Sequence, residues 1–220
     1  MDPTSSVEAR TLYAGTDFGV FKTSDGGNTW TGPAAGLGAV PRVRHLIVDT
    51  TAPSRVYAAA APEQAVAPGA GLYRSEDGGK EWVRLGAGKF AGVRSLSLCG
   101  AAGRLYAIAF RDGAGFWAPC SLWRSDDRGA NWTELDGRLG AAVAVSPQDP
   151  DRVYYMTFAA DVTREKVNVY RSLNGGKAWT GIADELPLSP GGDGNRIVFD
   201  PNQPRRFFVL HNSGTFEAIE

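Results

Sequence analysis

Asp17 is the carboxylate of greatest chemical interest in this chain. It sits in the tetrapeptide Thr16-Asp17-Phe18-Gly19, where a short turn would present a general acid or base. Glycosidic hydrolysis needs two carboxyls, one to protonate the leaving oxygen and one to activate water or attack. Asp112, Asp161, Glu165 and Asp193 are available as partners, but none sits in a motif of its own. A Gly-flanked turn also accounts for Asp17 without catalysis. Arg44, Arg94 and Arg196 each fall 12 or 13 residues before an aromatic residue. Brought together they would bind carboxylate or phosphate, whereas their regular recurrence equally suits structural ion pairs or solvated positions. Phe116 and Trp117 follow Asp112 in a Gly- and Pro-rich stretch. Exposed, they would stack on a sugar or anchor a protein; folded inward, they would plug a loop. His45 and His211 are too few and too isolated for a triad or a metal centre, so no metal and no cofactor is expected.

A second set of acids belongs to a phrase written four times: FKTSDGGNTW, YRSEDGGKEW, WRSDDRGANW and YRSLNGGKAW. Its fixed positions are a hydroxyl (Thr23, Ser75, Ser125, Ser172), an acid or amide two residues on (Asp25, Asp77, Asp127, Asn174), a glycine (Gly27, Gly79, Gly129, Gly176) and a tryptophan (Trp30, Trp82, Trp132, Trp179). The tryptophans are 52, 50 and 47 residues apart, the period of a propeller or similar array. Asp in the fifth place can accept backbone amides further along the turn, and the hydroxyl can tie the other arm. Arg128 replaces the first glycine of the third copy, so the later glycine is expected to be the one that needs positive φ. The tryptophan is expected to begin the next strand and to pack between units. Sites repeated in every unit cannot converge on one substrate, and Asn174 keeps the acceptor while losing the charge. These acids are therefore read as turn fasteners.

The surrounding sequence supplies the elements. Short apolar segments at His45 to Val48, Leu96 to Leu98, Val143 to Val145 and Ile197 to Phe199 precede aromatic-rich strands at Leu12-Tyr13, Val56-Tyr57, Leu105-Tyr106, Val153-Tyr154 and Phe207-Phe208, with turn residues between. One unit is thus strand A, turn, strand B, loop, strand C, tight turn, strand D, which predicts an all-β chain of four-stranded antiparallel propeller blades. The units fall at about 11–36, 43–87, 93–137, 141–186 and 195–220, four carrying the phrase and those at the termini partial. A-to-B and C-to-D turns share one end of a blade, so B-to-C and D-to-A connections share the other. The B-to-C loops are uneven, short at 15–19 and long at 60–71, 111–121 and 159–168. Binding specificity is expected there.

The pattern S/T-x-D-x-G-x-x-W resembles the Asp box, or BNR repeat, of sialidases, xyloglucan-hydrolysing enzymes, sortilin-type receptors and Ycf48-type assembly factors. The resemblance implies a β-propeller whose boxes lie at the blade periphery, away from any active site. Thr16-Asp17-Phe18-Gly19 resembles the T-D-x-G segment that holds a catalytic Asp in xyloglucan hydrolases. The arginines invite comparison with a sialidase triad, but an Arg-Ile-Pro segment and a nucleophilic Tyr with an acidic partner are missing.

Lys and Arg total 23 against 24 for Asp and Glu, so no net field favours nucleic acid. No apolar run reaches the roughly 20 residues of a spanning helix, and membrane insertion is not expected. MDPTSSVEAR lacks the order of a secretory leader, which fits a cytoplasmic chain or one whose leader lies outside this sequence. Cys99 would end a strand A and Cys120 begin a strand C with B between them, too far apart for a disulfide. The first unit lacks strand A and the last lacks strand D. The expectation is a piece of a larger propeller, or a chain that closes its ring by self-association. Function is expected to be noncatalytic binding of a protein or glycan through the B-to-C face. A xyloglucan-type glycoside hydrolase and a Ycf48-type assembly factor are the alternatives.

Overall fold

The computed structural model describes residues 1–2, 4–6, 9–37, 42–60, 70–86, 89–111, 120–158, 166–187, 195–200, 203, 206–211 and 214–219. Among the described residues seventeen strands run in chain order: β1 (Leu12–Thr16), β2 (Gly19–Thr23), β3 (Val43–Val48), β4 (Val56–Ala60), β5 (Gly71–Ser75), β6 (Val83–Leu85), β7 (Phe90–Cys99), β8 (Arg104–Arg111), β9 (Cys120–Ser125), β10 (Thr133–Asp136), β11 (Gly140–Val145), β12 (Val153–Phe158), β13 (Lys166–Ser172), β14 (Thr180–Pro187), β15 (Arg196–Phe199), β16 (Arg206–His211) and β17 (Gly214–Ile219). They form sheets β1-β2, β3-β4-β5-β6, β7-β8-β9-β10, β11-β12-β13-β14 and β15-β16-β17, each in sequence order. Strand B is β1, β4, β8, β12 and β16, and strand C follows it in every sheet. Three sheets are complete four-stranded blades.

Burial follows from the sequence. The strands Val-Tyr-Ala-Ala-Ala (β4) and Gly-Ala-Ala-Val-Ala-Val (β11) are buried at every residue, as a continuous apolar run requires when both faces of its sheet are covered. The chain forms two compact units, Met1–Arg94 with Ala109–Ala118, and Ser95–Ile108 with Pro119–Glu220. In the first, Val20, Leu37, Val43, Val56, Ala58, Ala60, Tyr73 and Trp82 make one core. In the second, Tyr154, Met156, Val167, Val169, Ile197, Phe207 and Val209 pack together, with the Tyr154 and Phe207 ring centroids 4.2 Å apart.

Three expectations need correction. The first unit has no strand D among the described residues, only a bridge between Lys22 and Thr31; Pro33, two residues on, has no N–H to extend a ladder. The box tryptophans precede strand D rather than begin it, because Val83, Thr133 and Thr180 are its first residues. Both box glycines, not just the later one, have positive φ. The first is at 69 to 73° and the second at 86 to 104°. Arg128 adopts φ 59° in the first position, within the left-handed well that L-residues tolerate, whereas the second position lies beyond it.

One turn is not apparent from sequence. Asp49 Oδ1 accepts the Thr51 amide at 2.9 Å and hydroxyl at 2.6 Å, and the Asp49 amide donates to Arg55 O at 2.9 Å. Asp2 repeats this with Thr4 at 2.8 and 2.7 Å and with Thr11 O at 3.0 Å. Asp2 and Thr11 therefore close a turn like the A-to-B turn that Asp49 and Arg55 close in the second sheet.

The outer edge of strand A in the fourth sheet is buried, and two of its amides are satisfied from its neighbour. The Val143 and Val145 amides donate to Ser95 Oγ at 3.2 Å and Ser97 Oγ at 2.9 Å, groups that would otherwise be orphaned. Ser97→Ala should lower stability by about 1–3 kcal/mol in urea denaturation, and Ser97→Thr, which keeps the hydroxyl, should lose less.

Candidate functional site

Each Asp box is a closed set of hydrogen bonds. The hydroxyls of Thr23, Ser75, Ser125 and Ser172 donate to the acid or amide at 2.6, 2.7, 2.7 and 2.9 Å. They also accept the second glycine's N–H at 2.8 to 3.0 Å. The carboxylate takes the amide four residues on, from Thr29 to Asp25 at 2.9 Å, Glu81 to Asp77 at 3.1 Å and Asn131 to Asp127 at 2.8 Å. Asn174 Oδ1 takes the Ala178 amide at 2.8 Å. Trp30, Trp82 and Trp132 donate from Nε1 to the second glycine's carbonyl at 3.1, 3.2 and 2.9 Å, which folds the ring back over its own turn. Trp82 and Trp132 are buried, Trp82 in a core shared with Val20 of the preceding sheet, but Trp30 is 43% exposed.

The box also joins other turns. Its third N–H, from Gly78, Arg128 or Gly175, donates to the A-to-B turn of its own sheet at Ser54, Gly103 and Asp151 O, at 2.7, 3.0 and 2.9 Å. The basic residue of one box reaches the first glycine of the next: Lys22 Nζ donates to Gly78 O at 2.9 Å and Arg124 Nη1 to Gly175 O at 2.7 Å. These tethers give a role to the Lys or Arg of the phrase, which sequence alone leaves without one.

The Asp25 carboxyl is held below the usual range by the Thr23 and Thr29 hydroxyls and the Thr29 amide. The Glu81 amide and the Ser75 hydroxyl do this for Asp77, and the Asn131 amide leads for Asp127. A group so well stabilised as an anion is poorly suited to proton transfer near neutrality. Among the described residues no group of three or more His, Cys, Asp or Glu side chains gathers to hold a metal ion.

The opposite blade end is marked by different bonds. Arg84 Nη2 donates to Ala70 O at 3.0 Å and Phe90 O at 3.2 Å, and the Phe158 amide donates to Leu139 O at 2.9 Å. Here B-to-C and D-to-A connections meet. Asp17 and Phe18 form the two-residue tip of the β1-β2 hairpin, closed by the Thr16–Gly19 pair. Thr16 secures that turn: its hydroxyl donates to Gly19 O at 2.9 Å and accepts the Phe18 amide at 3.1 Å. The Asp17 carboxylate is instead 3.9 Å from Arg42 Nε, with its side chain 58% exposed. Phe18, whose residue type gives no hint of a surface role, is 73% exposed.

Arg44 is exposed in β3 and Arg196 is exposed at the head of β15. Arg94 lies mid-strand in β7, not near its start, with its guanidinium 5.4 Å from the Phe110 ring centroid. Arg44 and Arg94 fall in the first compact unit and Arg196 in the second. Asp112, Phe116, Trp117, Asp161, Glu165 and Asp193 lie outside the described residues, as do most of the three long B-to-C loops. Cys99 and Cys120 are buried and not disulfide-bonded, on β7 and β9 with β8 between them. His45 is a β3 residue and His211 ends β16.

Residues 122–135 match the family model of the BNR-Asp box repeat. The fold is that of a β-propeller, with a BNR-Asp box repeat at these residues. It is 26% identical over 185 residues to a xyloglucanase of Paenibacillus sp, a match over 82% of this chain and 17% of that protein. The GH74 xyloglucanase of Xanthomonas campestris superposes with a TM-score of 0.72 at 22% identity, over 97% of this chain and 35% of that one. The GH74 enzyme of Niastella koreensis gives 0.75 at 18%, over 99% and 35%. The Asp-box chain thus spans about a third of these solved structures and a sixth of the curated relative.

The box carboxylates are stabilised as anions in the fold, so their contribution is present above the unfolded value of about 3.9 and is lost as pH falls through the folded value. Asp127→Asn should keep the turn, as Asn174 does, and be less stable than the parent chain at neutral pH. Thermal melts across pH should show that gap close under acid conditions.

Proposed function

We propose that these blades bind a glycan chain through the end that carries the B-to-C connections, and that they do so without cleaving it. The observation that carries this reading is Phe18, 73% exposed on a hairpin tip that Thr16 closes without it. A rigid, solvent-facing ring beside a carboxylate offers a sugar both a stacking surface and a hydrogen-bond acceptor. The similarity to a xyloglucanase makes β-glucan oligosaccharides the first ligands to test. Arg44 and the loop aromatics Phe116 and Trp117 belong to the same proposal as further contacts.

Asp17 supports a second reading, hydrolysis. Its carboxylate is not used to hold its turn and stands exposed beside Arg42, within reach of a substrate that a nucleophile or base could act on. A second carboxyl, which hydrolysis requires, would complete such a site.

Calorimetric titration with xyloglucan oligosaccharides separates the readings when paired with a reducing-sugar assay. Binding is expected, with Phe18→Ala weakening it roughly tenfold and Phe18→Trp retaining it. Sugar release that Asp17→Asn abolishes would overturn the noncatalytic reading, and unchanged affinity in Phe18→Ala would remove its support.

A further inference from the structure

The fourth Asp box differs from the others in a way that introduces covalent chemistry. Asn174 is the single asparagine in the sequence followed by glycine. A glycine has no side chain to hinder its nitrogen, so it can attack the asparagine Cγ. The attack forms a succinimide, breaks the Cγ–Nδ2 bond and releases ammonia, with the Gly175 amide proton leaving to solvent and the ammonia nitrogen taking one up. Water then opens the ring at either carbonyl, giving an aspartate with the ordinary backbone or an isoaspartate whose chain runs through Cγ.

Asn174 is exposed to the water this needs, but the closed box withholds both reacting atoms. The Gly175 amide donates to Asp151 O at 2.9 Å. The Gly175 carbonyl accepts Arg124 Nη1 at 2.7 Å, so that residue is tied on both sides. Asn174 Oδ1 accepts the Ser172 hydroxyl at 2.9 Å and the Ala178 amide at 2.8 Å, which fixes the side-chain amide in its Asx turn. Gly175 itself is buried, and a Cβ built on it would lie 2.9 Å from Asp151 Oδ1. The swing that brings nitrogen to Cγ cannot occur without releasing these bonds.

We propose that Asn174-Gly175 is a deamidation site gated by opening of the fourth Asp box. The two products have opposite effects on the closed turn. An ordinary aspartate restores the acid that Asp25, Asp77 and Asp127 supply, in a turn that already donates a hydroxyl and an amide to it. An isoaspartate lengthens the backbone between the Ser172 hydroxyl and the Gly175 amide, so the box cannot close again. Box opening, normally reversible, then leaves a permanent mark.

The test is peptide mapping by mass spectrometry, with isoaspartate scoring, on the full chain held at mildly alkaline pH in buffer, in a urea series and as the Ser172→Ala variant. Conversion at Asn174 is expected to be slow in buffer and fast in denaturing urea, where it should outrun the other asparagines. Ser172→Ala, which loses box hydrogen bonds, should convert roughly fivefold faster than the parent under native conditions. Asn174→Asp should fold with stability no lower than the parent at neutral pH. Equal rates in buffer and in denaturing urea would overturn the gating. Failure of Asn174 to outrun the other asparagines in denaturing urea would overturn the site itself. Should Ser172→Ala fail to fold, the parent chain alone decides the gating: its conversion rate should climb through urea concentrations below the unfolding transition, and a flat rate there would overturn it.

Discussion

The structure depends on one small bond set, the box hydroxyl held between a carboxylate and a glycine amide. It fixes a turn in which two consecutive residues have positive φ, a conformation unfavourable for the chain alone. With that turn fixed, the adjacent N–H points at the A-to-B turn and the adjacent carbonyl receives the cation of the preceding unit. Strand pairing within a sheet and tethering between sheets therefore originate at the same residues. Serine or threonine in this place is needed as donor and acceptor at once, which alanine and valine cannot provide.

Much of the fold was legible in the sequence, because turn chemistry and apolar runs are local signals. Four box phrases and the aromatic pairs of strand B place the strands to within a residue or two. What could not be read concerns partners distant in the chain. The role of Lys22 and Arg124 appears only when a carbonyl more than fifty residues away comes within reach. The same is true of Ser95 and Ser97, which look like ordinary polar strand residues until the amides of β11 arrive. The turn closed by Asp2 and Thr11 is hidden in the same way, because only the bond between them identifies its ends. At the candidate site, Asp17 stands out by its neighbours in sequence, whereas Phe18 is informative only through exposure, a property that residue type opposes.

The two ends of each blade divide the work of the molecule. At the box end, side chains are consumed in fastening: Glu76 pairs with Arg55 and Arg74, and Asp126 with Arg104 and Arg124. Charges so engaged have little left for a ligand. At the other end the fastening passes through backbone carbonyls, such as Ala70, Phe90 and Leu139, and leaves side chains like Asp17 and Phe18 to face solvent. Sequence change is costly at the first end and tolerated at the second, which is why a shared scaffold supports many different ligands.

The two tethers, Lys22 to Gly78 and Arg124 to Gly175, both run forward, with the cation on the earlier blade and the carbonyl on the later one. An array joined this way has a direction, like links that each carry a hook at the leading side. During synthesis the hook emerges first and the eye follows about one blade later. The second and fourth sheets thus each meet a prepared contact as they leave the ribosome.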